Sequence, residues 1–368
     1  MTQDKKIFVT QPTLPPLDEF IPYLQQIWDN KMLTNGGPMH QELEKQLCEY
    51  LGVPFISLFN NGTNALLTAL QCFKLEGEVI TTPYSFVATS HALMWNNLTP
   101  VFVDIDPISL NIDPQEIENA ITEKTTAILA VHCYGNPCNA NAIQMIADKY
   151  NLKVIYDAAH AFGVKDQSGS ILNYGDLSIL SFHATKVFNT FEGGAIISHD
   201  LETKQRIDQL KNFGIQSEAE VSDIGCNGKM SEINAAFGLL QLKYVDEAIA
   251  KRKKIAERYQ QELNLITGIS CTLNQLLEQH NYSYFPILID EEEYGKSRDE
   301  LNNLLQQNNI IPRRYFYPLI SDFSVYKNNQ HQYKLSVAKT TSNKVLCLPI
   351  YSSLEESDVQ RILSIIKG

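Results

Sequence analysis

The chain has 368 residues, 44% of them hydrophobic and 20% charged, with 18 Gly and 15 Pro, a balance that excludes collagenous, low-complexity and largely disordered proteins. That length is roughly two to three times a typical domain and predicts one large α/β domain plus a smaller one. A net charge of -12 argues against a grip on nucleic acid or acidic membranes, both of which need a positive field.

Seven cysteines (Cys48, Cys72, Cys133, Cys138, Cys226, Cys271 and Cys347) are odd in number and scattered. They read as reduced packing thiols and place the chain in the cytoplasm. No CxxC, HExxH or clustered Cys/His pair offers metal-ligand spacing, so no metal is expected. The opening MTQDKKIFVTQPTLPP lacks the apolar run of a secretion signal, and no stretch is long enough to cross a bilayer.

In chain order, Gln41–Leu51 reads as a helix, Phe55–Phe59 as a strand and Thr63–Phe73 as a second helix. Between the last two stands Asn60-Asn61-Gly62-Thr63. A Gly at a helix start leaves backbone N–H groups free to meet an anion, and the Thr hydroxyl adds a donor; the same string also fits a simple helix cap. Short apolar runs follow at Val79–Thr82, Val101–Asp104, Ala127–Tyr134 and Lys153–Tyr156, with helical segments at Pro114–Ile121 and Ala140–Tyr150. This alternation predicts a mainly parallel sheet from about 55 to 200, with its site at the strand carboxyl ends.

The run at Lys153 ends in Asp157-Ala158-Ala159-His160. A carboxylate there needs a cationic partner or several hydrogen bonds, because burying it unpaired is costly; capping the next turn is the alternative. Next, Ile179–Phe182 carries Ser181, Lys186 follows, and Gly193-Gly194 turns into Ala195–Ser198. A lysine between two core strands is unusual unless its amine reacts, since burial lowers its pKa toward nucleophilic competence. A solvated loop lysine is the alternative. Ser231–Leu265 has the spacing of one long helix, with Lys251-Arg252-Lys253-Lys254 on a solvated face. Tyr282–Ile289, Lys296–Gln307 and the last twenty residues predict a small α+β cap. The expected division is 1–245 and 246–368. GxGxxG, GxxxxGK[ST] and GxSxG are absent, which disfavours dinucleotide, P-loop and hydrolase readings.

Phe59-Asn60-Asn61-Gly62-Thr63, Thr82-Pro83-Tyr84-Ser85-Phe86-Val87-Ala88-Thr89, Asp157-Ala158-Ala159-His160 and Ser181-Phe182-His183-Ala184-Thr185-Lys186, in that order, closely resemble the DegT/DnrJ nucleotide-sugar aminotransferases. The resemblance runs from about Leu33 to Tyr317. It implies an aspartate-aminotransferase-like large domain of pyridoxal-phosphate fold type I, a small C-terminal domain, and a homodimer with active sites at the subunit interface.

Carried over by position, Lys186 resembles the lysine that binds pyridoxal 5'-phosphate covalently and then shuttles the proton. Asp157 looks like the partner of the ring nitrogen and Phe86 like the residue that stacks on the ring. Gly62, Thr63, Asn64 and Ser181 match the phosphate cradle, His160 stands where many relatives carry glutamine, and Asn227 resembles the asparagine sent from the neighbouring subunit. Thr34, Asn35 and Tyr317 look like sugar-pocket positions, with loop packing as the alternative; Arg313 and Arg314 could reach a diphosphate by bidentate bonds, with surface ion pairs as the alternative. The implied reaction moves an amino group from L-glutamate to a nucleotide-linked 4-keto-6-deoxy sugar, dTDP-4-dehydro-6-deoxy-D-glucose first. The products would feed surface-polysaccharide synthesis, O-antigen and lipopolysaccharide included. GDP- or UDP-linked 4-keto sugars, 3-keto sugars and a catalytically silent protein are the rivals. A sugar dehydratase is disfavoured by Lys186 itself, and a cysteine desulfurase by the lack of a mobile catalytic cysteine.

Overall fold

The structure, a computed structural model, describes residues 6–272, 277–327 and 334–368. Seven strands form its central sheet: β1 (Phe55–Phe59), β2 (Glu78–Thr81), β3 (Thr99–Phe102), β4 (Thr125–Val131), β5 (Lys153–Asp157), β6 (Leu177–Ser181) and β7 (Gly194–Ser198). Their order is β1-β7-β6-β5-β4-β2-β3. Pairing is parallel from β6 across to β3, and β7 runs antiparallel to both of its neighbours. The strands are almost wholly apolar and buried, as a sheet covered on both faces requires.

Helices α1 (Leu17–Asn30), α2 (Pro38–Leu51), α3 (Gly62–Cys72), α4 (Ala88–Trp95), α5 (Pro114–Ala120), α6 (Ala140–Tyr150), α7 (Leu201–Leu210) and α8 (Glu232–Leu242) belong to the same part of the chain. α3 packs on β6 and β7 on one side, and α2 packs on β1 and α8 on the other. Gly194 lies opposite both Phe59 and Ser181, so the ends of β1 and β6 meet at its side. A Cβ there would stand 2.7 Å from Gly62 N. Only glycine lets the turn after β1 close over the sheet next to Ser181.

The expected long helix 231–265 is two helices, α8 and α9 (Val245–Leu263), broken at Lys243-Tyr244. The break has a tertiary cause. The Tyr244 hydroxyl donates to Glu19 of α1, the Lys243 ammonium lies 5.4 Å from the centre of the Tyr23 ring, and the Lys243 and Tyr244 amides reach back only three residues. Arg252 departs from the expected solvated face. It is 1% exposed and its guanidinium donates to the carbonyls of Tyr282, Ser283 and Ile350, whereas Lys251, Lys253 and Lys254 are exposed.

A second, antiparallel sheet joins β8 (Ile269–Cys271), β9 (Phe285–Ile289) and β10 (Val345–Leu348), with α9, α10 (Arg298–Gln307), α11 (Ser336–Lys344) and α12 (Glu356–Lys367) around it. The short strand Ile7–Phe8 pairs with Ile310–Ile311, which packs the start of the chain into this C-terminal core. Asp104, just past β3, ties the two parts together by accepting the amides of Val337 and Ala338 at 2.9 and 2.7 Å. A carboxylate at that helix start also meets the positive end of the α11 dipole. Among the described residues no helix is long and apolar enough to cross a membrane.

Three histidines that do not line the cavity described below are buried neutral. Burial pulls His132 from 6.5 down to about 3 and His280 to about 4; burial, then the Lys211 charge, takes His40 to about 4. Folded values below the unfolded one mean that the unfolded chain binds the extra protons. This contribution is therefore intact above pH 6.5 and is lost as pH falls toward 4. We expect Tm to drop between pH 7 and pH 5, with a shallower drop in His132→Phe, which keeps the ring stack on Tyr156 at 4.5 Å. The same slope in that variant would remove His132 from the account.

Candidate active site

The carboxyl ends of the parallel strands and the loops of the C-terminal part enclose a cavity of about 310 Å³. Its floor begins with Asp157, the last residue of β5 and 6% exposed. The Thr89 hydroxyl donates to Asp157 Oδ2 at 2.7 Å and the Ala159 amide to Oδ1 at 3.2 Å. Because the Thr89 proton is committed there, the Ser85 hydroxyl at 2.8 Å is the donor to Thr89. Burial pushes the Asp157 carboxyl above its usual range, while Thr89, Ala159 and the Lys186 charge pull it back.

Lys186 lines the same cavity, on the turn between β6 and β7, where its amide donates to the His183 carbonyl at 2.8 Å. Burial pulls its ammonium from 10.5 to about 8, and Asp157 opposes the fall. A substantial fraction is therefore neutral near physiological pH, the state in which an amine attacks a carbonyl.

The third wall is the start of α3. Asn61 is its cap, accepting the Asn64 amide at 2.8 Å, while Gly62, Thr63 and Ser181 line the cavity. Among the described residues the Gly62 and Thr63 amides have no partner. They stand at the positive end of a helix dipole, the setting that holds phosphate. A Cβ on Gly62 would lie 3.1 Å from Ser181 Cβ, so Gly62→Ala should weaken binding of a phosphate-bearing ligand at this helix start by about tenfold, the equivalent of one hydrogen bond. A fluorescence titration checks this, and unchanged affinity would take the α3 start out of the cradle.

His160 lines the cavity beside Tyr284 and Phe316, with its ring 4.8 and 6.1 Å from theirs. Burial and the Lys186 charge hold it neutral, far below its usual range. Phe86 also lines the cavity and is 61% exposed.

The other expected positions lie elsewhere. The Asn64 side chain does not line the cavity and donates instead to Asn60 Oδ1 at 2.9 Å. Asn227 is exposed, and its carbonyl accepts from the Asn60 side chain at 3.1 Å. Thr34 and Asn35 are exposed on the loop before α2. Glu232 accepts the amides of Met39 and His40 in the first turn of α2, each at 2.9 Å, and holds that loop through its own amide, which donates to the Leu33 carbonyl at 3.0 Å. Arg313 is exposed, its backbone paired with Cys347. Tyr317 faces a different cavity, of about 430 Å³, between the guanidinium groups of Arg298 and Arg314 at 4.5 and 4.8 Å; Arg314 itself is paired with Asp299 at 3.0 Å.

Sequence reading missed Thr89, Tyr284, Tyr315 and Phe316. Thr89 had a local signal, since it sits one helical turn after Ser85. The others come from distant parts of the chain and carried none.

The family model described as the DegT/DnrJ/EryC1/StrS aminotransferase family matches residues 17–367. The chain belongs to this family. The aminotransferase is 59% identical over 364 residues, 99% of both chains, to a dTDP-4-amino-4,6-dideoxy-D-glucose transaminase of Shigella dysenteriae. It is 56% identical over 370 residues, again 99% of both, to one of Escherichia coli. A solved structure of DesI with its TDP-sugar product superposes with a TM-score of 0.95 at 33% identity, covering 99% of this chain and 93% of that one.

Aminotransferases of this family use pyridoxal phosphate. The residues present fit that group. A poised lysine, a buried carboxylate supplied with only two short-range donors, and a glycine-floored helix start share one cavity.

Proposed function

We propose that this aminotransferase moves an amino group from L-glutamate to dTDP-4-dehydro-6-deoxy-D-glucose, giving dTDP-4-amino-4,6-dideoxy-D-glucose. The observation that carries the reading is Lys186 and Asp157 facing one cavity in a chain alike over its full length to two transaminases of that name. Pyridoxal phosphate, when bound, supplies the electron sink that makes an amino donor's α-proton removable.

The chain's own residues do the rest. Gly62, Thr63 and Ser181 would hold the phosphate, and Phe86 would cover the ring. Asp157 keeps a negative charge for the ring nitrogen. Lys186 Nζ takes the proton from the α-carbon of glutamate and, in the second half, delivers one to C4 of the sugar. Tyr284 and Phe316 narrow the cavity against water.

A homodimer with shared sites belongs to the same reading. The apolar side chains Leu17, Ile21, Trp28 and Leu33 are exposed on α1 and on the loop that holds Thr34 and Asn35, where a second subunit would cover them. In that dimer Asn227 would serve the neighbouring site, with Thr34, Asn35 and Arg313 as substrate-binding positions; Asn64 would support the cavity wall through Asn60, while Tyr317 faces the other cavity. Residues 1–245 would form the cofactor domain and 246–368 the smaller one, in a cytoplasmic enzyme of surface-polysaccharide synthesis.

The test is product analysis by mass spectrometry with L-glutamate and each of the dTDP-, GDP- and UDP-linked 4-keto sugars and a 3-keto sugar. Preference for any sugar other than the dTDP-linked 4-keto one overturns the substrate, and no transfer at all overturns the reaction. Separately, uptake of pyridoxal phosphate by the apoprotein should speed up with rising pH and level off above about 8, where Lys186 loses its proton. A rate flat from pH 6 to pH 9, roughly two decades of amine ionisation, would count against Lys186 as the attacking group.

A further inference from the structure

His160 reaches the cavity from a loop whose backbone is clamped by the other part of the chain. Its Nδ1 accepts the Tyr134 amide at 3.2 Å, so the neutral ring carries its proton on Nε2. Nε2 has no partner among the described residues, and the ring lines the cavity. The His160 carbonyl accepts two donors from one segment, Asn281 Nδ2 at 2.8 Å and Ser283 Oγ at 3.0 Å. Asn281 gives its second proton to the Phe162 carbonyl at 2.9 Å, and its Oδ1 accepts the Ser283 amide at 3.0 Å. Asn281 is fully buried, and no slack surrounds it: a Cβ on Gly135 would lie 2.9 Å from the His160 carbonyl oxygen and 3.1 Å from Asn281 Oδ1.

The same segment is held from behind. Arg252, buried without a carboxylate partner among the described residues, donates to the carbonyls of Tyr282 and Ser283 at 3.3 and 3.5 Å. The next residue, Tyr284, is a wall of the cavity, with its ring 5.8 Å from the Lys186 amine. A buried guanidinium is costly to place, and an amide buried as deeply as Asn281 must have its hydrogen bonds met; here both converge on one short stretch that touches the back of His160.

We propose that Asn281 and Ser283 are positioning residues, which fix the His160 ring so that its Nε2–H donates into the cofactor cavity. The inference rests on the reading of that cavity as the pyridoxal-phosphate site. Its test compares Asn281→Ser, Ser283→Ala, His160→Ala and the double variant Asn281→Ser/His160→Ala. The readouts are the dissociation constant for pyridoxal phosphate, the pH midpoint of the bound cofactor's visible band, and Tm of the apoprotein.

Asn281→Ser should weaken cofactor binding by about tenfold, as loss of a buried hydrogen bond allows, and move the midpoint in the direction that His160→Ala moves it. In the His160→Ala background Asn281→Ser should add nothing, because its effect passes through the ring. Ser283→Ala should show the same pattern at smaller size, and Ser283→Thr, which keeps the hydroxyl, should restore the wild-type midpoint. Equal losses with and without His160, or a lowered Tm with an unmoved midpoint, would make the clamp merely structural and overturn the proposal. Where Asn281→Ser does not fold, Ser283→Ala decides by the same comparison. A wild-type protein that binds no pyridoxal phosphate overturns the underlying reading instead, a result separate from either of these.

Discussion

Lys186→Ala should lower the rate of transfer from L-glutamate by about 10⁴-fold, the upper end of what a positioned acid/base contributes. Among the described residues no other lysine or arginine lines the cavity, so no neighbouring amine can take over the proton. The effect is one of placement as much as of ionisation. Burial brings the amine to about 8, while the turn between β6 and β7 fixes where it stands. The check is single-turnover absorbance change with L-glutamate, with Lys251→Ala as control. Lys251 is exposed on α9 in an i,i+4 pair with Glu247, and its removal should leave the rate unchanged. Added methylamine should restore part of the Lys186→Ala rate, because a free amine can move the proton once the space is open. A variant running within about tenfold of wild type would assign the chemistry to another group.

Asp157→Asn should cost about 10² to 10³-fold, the range for removing one partner of a buried charge pair. The amide keeps the shape and drops the charge, so cofactor affinity should fall less than the rate does. Its NH₂ would also face either the Thr89 hydroxyl or the Ala159 amide, both donors to the carboxylate. Thr89→Val, which removes one charge-assisted hydrogen bond, should cost about tenfold, and Thr89→Ser should recover most of it. Steady-state rates together with the visible band separate the two effects. If Asp157→Asn runs within about threefold of wild type, the carboxylate is a structural cap on the turn at Ala159 and nothing more.

The chemistry-bearing strings were legible because each is short and locally determined. Phe55–Phe59 is a strand, and the Asn60 to Thr63 turn opens a helix there. Asn61 caps that helix while Gly62 and Thr63 line the cavity, so one string is cap and cavity wall at once. Asp157 stands out at a strand end and Lys186 on the turn between two core strands, where a charged group set between apolar runs must find a partner or lose its charge. Parallel pairing of β2 to β6 likewise follows from the spacing of the apolar runs.

Local pattern could not reach features made by contacts between remote residues. Nothing in residues 231–265 marks a break at Lys243-Tyr244, where Glu19 and Tyr23 of α1 make contact. Arg252 sits in a run of basic residues and is buried only because three carbonyls from other segments converge on it. Tyr284, Tyr315 and Phe316 become cavity walls through the packing of the C-terminal part on the sheet ends, and Tyr317, one residue on, is drawn to the far side by two arginines. The sequence by itself determined the fold class, the strand-end place of Asp157 and the place of Lys186 between two core strands, since backbone propensity and the cost of burying charge act over a few residues. Tertiary structure alone decided the shape of the cavity, the place of each expected pocket residue and the clamp behind His160, because those depend on which distant side chains share one space.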